Sequence, residues 1–414
     1  MADALKQQYP AYHFVPVYWM GCEDHDFDEI NHIHLFGEKI EWTDRQGGAT
    51  GRHNPQSLLE VLNAVKSKLS NEPFANEVLG IFEKSYSSFN TLAAATQYIV
   101  NELFGKYGLV VINPDTAELK ALFAPVIKDE LQNQSAAKHA NIAIGKLEAL
   151  GYKIQAHPRD INLFYLEGNI RERIVWNDKA AQYEVLNTSL AFSKEALLAL
   201  ADSNPEKFSP NVFLRPLYQE TVLPNLAYIG GAGELSYWLE QKEIFHYFNT
   251  TFPILIQRNS FALVDASTEK KLQKLNLPAV EFFNEEDAIV KNYLAQNNSL
   301  PDFSNEKAEL EKVYASLRVK ATAIDPTLKA ATEAQLQQAL NNLDGLEKKL
   351  TRAIKQQQDT AINQIKAVRN KLMPNNTLQE RYENFLPYAS AKGSNWLDEV
   401  YNNLQPFSAV INFL

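Results

Sequence analysis

Two stretches of this chain carry residue types that do chemistry. The first, Gly21-Cys22-Glu23-Asp24-His25-Asp26-Phe27-Asp28-Glu29, follows directly on the apolar run Tyr12–Met20. A dense acidic run at the end of a buried strand is costly unless water, a cation or a ligand amine compensates it. Glu23, Asp24 and Asp28 therefore suit an ammonium group, and His25 among them suits a proton-transfer role and a mere ion pair equally well. The plainer reading is a solvated acidic helix start, with Asp24 as N-cap and Asp26, Asp28 and Glu29 favoured in the first turn by the helix dipole. His32 and His34 share one strand face, but with His25 seven residues back no standard zinc spacing arises, and we expect no metal.

The second stretch is Pro210–Trp238, read as two short strands, Val212–Leu214 and Leu226–Ile229, each entering a turn. After the second come Gly230, Gly231, Gly233, Glu234, Tyr237 and Trp238, which open a helical pattern reaching Phe248. Strand, glycine turn and helix in that order place bare amides at a helix N-terminus, where a ligand comes close. The glycines do not form the dinucleotide fingerprint, and the lysine of a P-loop is missing. Glu234 would repel a phosphate there and suits a hydroxyl or an amine; alternatively it only satisfies the helix dipole in a tight turn. Arg215, Gln219 and Glu220 lie past the first strand as binding candidates, with a structural ion pair the alternative for Arg215.

These stretches need elements to position them. Tyr12–Met20, Tyr107–Pro114 and Pro253–Val264 read as buried strands, and helical spacing covers Ser57–Leu69, Thr91–Phe104, Thr116–Gln132 and Ala136–Leu150. That order predicts an α/β fold with a parallel, Rossmann-like core sheet. Between 151 and 209 the texture changes to alternating strands such as Leu163–Glu167 and Arg173–Trp176, an insertion in the sheet domain. The expected divisions are 1–150 and 210–300 for the core, 151–209 for the insertion, 301–375 for a helical coiled coil, and 376–414 for a segment packing back on the core. In the coil, Leu336, Leu340, Leu343, Leu350 and Ile354 step by three, four or seven, and Asp325-Pro326 breaks the hairpin. The second helix is expected from about Thr332 to Leu372, with Glu347 and Gln357 interrupting its seam; an intramolecular antiparallel pair and a dimeric coil fit equally. A short apolar end follows at Val410–Leu414.

The 414 residues are 45% hydrophobic with a net charge of -10, enough for a core of two or three domains and opposed to nucleic acid as an electrostatic partner. Cys22 has no partner for an internal disulfide, and no signal peptide or apolar run of membrane-spanning length is seen, so we expect a reducing, cytoplasmic setting with no membrane anchor.

Taken together, Trp19-Met20-Gly21-Cys22-Glu23-Asp24-His25-Asp26-Phe27-Asp28-Glu29-Ile30-Asn31-His32, Asn211-Val212-Phe213-Leu214-Arg215-Pro216-Leu217-Tyr218-Gln219-Glu220 and Gly230-Gly231-Ala232-Gly233-Glu234 before Tyr237-Trp238 resemble the bacillithiol biosynthesis cysteine-adding enzymes. The likeness extends to Asn162-Leu163-Phe164-Tyr165 and the late helical hairpin. It implies a ligase joining the carboxyl of L-cysteine to the amine of malyl-glucosamine. It also implies a Rossmann-like core with connecting-peptide insertions, a coiled coil used in homodimerisation, and an adenine nucleotide (ATP or ADP) near that coil. On this resemblance Glu23, Asp24, His25 and Asp28 are catalytic candidates, while His32, Arg215, Gln219, Glu220, the glycine turn, Glu234, Tyr237 and Trp238 are substrate-binding candidates. Family members carry a longer N-terminal segment with a first core strand and loop, so we expect the core pocket here to lack one wall. The rival readings are a catalytically silent coiled-coil scaffold and a nucleotidyl transferase acting on a sugar or acid.

Overall fold

The computed structural model describes residues 1–297, 300–408 and 411–413, which form two compact units: Met1–Ser260 with Glu383–Asn412, and Phe261–Tyr382 with Phe413. In the first unit, strands β1 (Val17–Trp19), β2 (His32–Leu35), β3 (Glu38–Glu41) and β4 (Val110–Ile112) are followed by β5 (Leu163–Glu167), β6 (Ile170–Asn177), β7 (Gln182–Val185) and β8 (Ala191–Phe192). Strands β9 (Phe208–Pro210), β10 (Ala227–Gly230) and β11 (Ile254–Gln257) come next along the chain. β1 pairs in parallel with β4, and β10 in parallel with β11. Parallel neighbours need crossovers, and helices between the paired strands supply them, including Leu92–Phe104 before β4 and Ala232–Leu239 before β11. The insertion is a five-stranded antiparallel sheet in the order β8-β7-β6-β5-β9.

The core between these sheets is aromatic. Phe123, Phe208, Phe213, Tyr218, Trp238 and Phe245 are fully buried in one cluster that joins the Ala117–Asn133 helix, the antiparallel sheet and the helices Arg215–Val222, Ala232–Leu239 and Lys242–Tyr247. Glu130, also buried, accepts hydrogen bonds from the Ala136 and Asn162 amides and from the Asn162 side chain, pinning the start of β5 to the helices. A smaller core places Leu62, Val65, Val78 and Leu79 against Leu35 and Leu386.

Several expectations need correction. Val212–Leu214 is a turn, not a strand: the strand is β9, two residues earlier, and Asn211 accepts the Phe213 amide on its side chain and the Arg215 amide on its carbonyl, starting the helix Arg215–Val222. The run Tyr12–Met20 yields only three strand residues, and Tyr12, Val15 and Tyr18 are exposed. Pro16 has no N–H to extend the ladder beyond Val17, and among the described residues β1 has a single neighbour. Pro253–Val264 is two strands, β11 and Ser260–Ala262.

In the second unit, Ile289, Val290, Leu294, Ile362, Ile365, Val368 and Leu372 form the core with Leu275 and Phe282. Residues 261–297, expected with the sheet, thus belong to the second unit, where Leu275, Phe282, Ile289, Val290 and Leu294 pack with the helix Asp359–Leu372. The hairpin is Ser304–Ile324 against Leu328–Gln357, the latter 30 residues or roughly 45 Å long, and the second helix breaks at Gln358 rather than running to Leu372. Glu347, read as an interruption of the seam, binds Lys307 across the hairpin at 2.7 Å, so the pair is antiparallel and intramolecular. Gln357 sits at the break itself. Of the apolar end, Ile411–Phe413 is a strand, while Val410 and Leu414 lie outside the described residues. Among the described residues no helix is long and apolar enough to cross a membrane.

Candidate functional site

The acidic turn begins where β1 ends. The Gly51 amide donates to the Cys22 carbonyl at 2.8 Å and the Thr50 amide to the Asp24 carbonyl at 2.7 Å, fixing the turn from the side. A Cβ on Gly51 would stand 2.4 Å from both Cys22 Cβ and its carbonyl oxygen, so only glycine permits this approach. The Cys22 thiol donates to Asn113 Oδ1 just past β4, and burial, with Glu23 and Asp115 nearby, pushes the thiol far above its ordinary range. It is a packed group, not a nucleophile.

Depth separates the carboxylates. Glu23 is buried and accepts from Lys120 Nζ at 2.7 Å; Lys120, fully buried, also donates to the Phe208 carbonyl at 2.6 Å and lies over the Tyr218 ring. Glu23 is therefore a structural counter-ion, already neutralised, and does not face an incoming ammonium as the sequence suggested. Asp24, His25 and Asp26 are exposed. The helix that follows is only Phe27–Ile30, and its N-cap is Asp26, not Asp24, because Asp24 still belongs to the turn closed on Gly21. Asp28 is exposed and pairs with Arg45. His25 Nδ1 faces a guanidinium rather than carboxylates: Arg171 Nη1 lies 2.6 Å away, and Arg171 Nη2 is 3.9 Å from Asp24 Oδ1. Arg171, on β6, is buried; it donates to Ser209 Oγ and stacks 4.0 Å above the Phe164 ring. Burial pulls its guanidinium pKa down, and the carboxylates of Asp24, Glu23 and Asp26 act against that. His32 Nδ1 meets Asn31 Oδ1 at 2.9 Å, and its ring contacts His34 edge-on at 5.4 Å.

The second group is held by β10 and the helix Arg215–Val222. Glu234 turns back on its own helix: Oε2 accepts the Gly231 amide at 2.7 Å and Oε1 accepts from Tyr228 Oη at 3.2 Å. The capping reading of the glycine turn is what the geometry displays. Gly230 is closely packed, with a Cβ position 2.7 Å from the Tyr228 ring, whereas nothing lies near that of Gly233. Trp238 is fully buried under the stacked Tyr228 ring, out of reach of a ligand. Glu220 is buried as well, accepting from the Asn225 amide and side chain and from Gln219; burial pushes its carboxyl above the usual range, and those hydrogen bonds with the nearby Arg215 charge pull the other way. Arg215 is half-buried and donates to two neutral oxygens, Gln219 Oε1 at 3.3 Å and Tyr237 Oη at 3.2 Å. It forms no salt bridge among the described residues.

Among the described residues, no hydrogen bond, ion pair or ring contact joins the His25 group to the Arg215 group; Tyr218 lies between, touching Trp19 on β1 and donating to the Pro114 carbonyl. Arg171 and Lys120 were not singled out in the sequence, since each lies about a hundred residues or more from its partner. A cavity of about 410 Å³ opens beside the acidic turn, lined by Met20, Cys22, His32, Trp42, Phe82 and Tyr86 among others and by no Asp, Glu, Lys or Arg. Among the described residues no group of three or more His, Cys, Asp or Glu side chains is placed to hold a metal ion.

Residues 1–259 match the family model for the N-terminal Rossmann-like domain of bacillithiol biosynthesis BshC, and residues 261–413 that for its C-terminal coiled-coil domain. A relative in Flavobacterium psychrophilum named "putative cysteine ligase BshC" is 42% identical over all of this chain and 77% of its own length. Proteins of the same name in Flavobacterium johnsoniae and Salinibacter ruber are 39% and 32% identical, with 78% and 74% of their lengths covered. With both of its domains matched and its full length aligned, this chain belongs to the BshC family of bacillithiol biosynthesis and, with it, to the ligases.

Proposed function

We propose that this protein forms an amide between the carboxyl of L-cysteine and the amine of malyl-glucosamine, acting as a homodimer through its helical hairpin in a reducing cytoplasm. The observation that carries the reading is Arg215. A half-buried guanidinium whose hydrogen-bond partners, Gln219, Tyr237 and Tyr228, are all neutral keeps its charge for an anion, and a fork of this kind matches a carboxylate. Both substrates bring carboxylates: cysteine its own, malyl-glucosamine those of its malyl group. The exposed Asp24 and Asp26 at the end of β1 supply negative charge for the amines. Bringing amine and acyl carbon together accounts for much of the rate enhancement such a site provides.

Amide formation from a free carboxylate needs acyl activation, which an adenine nucleotide supplies when bound. The glycine turn does not fit its phosphates: the Gly231 amide already binds Glu234, whose carboxylate holds the position a phosphate would take.

The test is to incubate the purified chain with L-cysteine, malyl-glucosamine and ATP and to look by mass spectrometry for their condensation product, using thiol-labelled cysteine. Cysteine-dependent product supports the ligase. A nucleotidylated sugar or acid formed without cysteine would identify a transferase, and no product with either substrate would leave the scaffold reading.

A further inference from the structure

We infer that Arg171 is a positioning residue that locks His25 in one tautomer, so that His25 offers the substrate an Nε2–H hydrogen-bond donor and not a base. The inference rests on the ligase reading for what the donor serves, but its geometry stands independently. A guanidinium has five N–H donors and no acceptor, and it stays protonated in proteins. At 2.6 Å from Arg171 Nη1, His25 Nδ1 must therefore accept, and the single proton of the neutral ring is left on Nε2. A second proton on Nδ1 would set two N–H groups and two positive charges against each other at that distance.

Arg171 is itself held where it can impose this. Its Nε donates to Ser209 Oγ on β9, its Cζ lies 4.0 Å over the Phe164 ring of β5, and its side chain is almost fully buried on β6. Three strands of the antiparallel sheet thus fix one guanidinium. The His25 ring also leans on Phe164, with centroids 5.6 Å apart, so histidine and arginine share one aromatic support. His25 is exposed, and no protein acceptor meets its Nε2 among the described residues. A fixed N–H donor at the end of a core strand, open to solvent, suits a carboxylate or acyl oxygen on which charge develops. The insertion then contributes to the reaction by orienting a side chain of the core.

The experiment uses the whole chain labelled with ¹⁵N-histidine, with long-range ¹H–¹⁵N correlation spectra recorded where the imidazole is neutral and His25 assigned by the signal lost in His25→Asn. The expected result is an unprotonated Nδ1 and a protonated Nε2 in the unmodified chain, retained in Arg171→Gln, which keeps a donor, and lost to a tautomer mixture in Arg171→Met. Amide formation should fall roughly 10–100-fold in kcat for Arg171→Met with little change in KM, and recover substantially in Arg171→Gln. A protonated Nδ1 in the unmodified chain overturns the inference outright, whether or not the variants fold. Unchanged kcat in a folded Arg171→Met overturns its functional half. If the unmodified chain makes no amide at all, the ligase reading fails, and the spectrum still decides the tautomer.

Discussion

At the end of β1 the charges are sorted by depth. Glu23 and Lys120 bury each other, and the buried pair needs both members, because removing one leaves an uncompensated charge in the interior. Lys120→Met should therefore destabilise the chain by about 3–5 kcal/mol in chemical denaturation, while the double variant Lys120→Met with Glu23→Gln should recover much of that loss. A single variant as stable as the parent would mean the pair is not buried as described. In the second unit Asp265 behaves differently. Burial acts to raise its carboxyl, but Lys371 and the Thr268 amide outweigh it and hold the value at about 2 against an ordinary 3.8. A depressed carboxylate contributes stability that is complete above the unfolded value and disappears as pH falls through the folded one. This contribution should thus fade between about pH 4 and pH 2, and Asp265→Asn should show a shallower acid-side loss of helix by circular dichroism. An unchanged acid limb in that variant would dismiss the pairing.

The elements explain why some of this was legible in advance. The Leu163–Glu167 strand, the helix after Thr91 and the strand–glycine–helix order at Gly230 follow from local signals: alternation, a side-chain N-cap, and a turn that only small residues make. The hairpin was legible for the same reason, since its pattern is sequence-local. Val212–Leu214 misleads because an apolar run of three residues does not distinguish a strand from a turn leading into a helix, and Asn211, whose side chain accepts the Phe213 amide and fixes that turn, looks like an ordinary loop residue. Glu23 misleads because its partner Lys120 is 97 residues away, and Arg171 gives no local signal because it is 146 residues from His25. Neighbouring charges on the chain say little about which of them a fold will bury together. For the hairpin, Val313 and Leu317 are one turn apart and stand 55% and 45% exposed, apolar surface that a second hairpin would cover. We expect Val313→Lys with Leu317→Lys to convert a dimer to a monomer in sedimentation velocity with helicity preserved. A parent chain that sediments as a monomer at every concentration contradicts the dimer.

For the molecule as a whole, the proposed ligation depends on Arg215, on the helix that follows β9 of the antiparallel sheet, to hold a substrate carboxylate. The most direct measurement is the rate of amide formation from L-cysteine and malyl-glucosamine by Arg215→Met beside the unmodified chain, with thermal unfolding followed in parallel. Arg215 hydrogen-bonds the neutral Gln219, Tyr237 and Tyr228, so its loss breaks no salt bridge among the described residues and should leave the chain folded. Its role in holding charge should make the rate fall by roughly 100-fold or more. A folded Arg215→Met that forms amide as fast as its parent would contradict the account, for the carboxylate would then be held somewhere else.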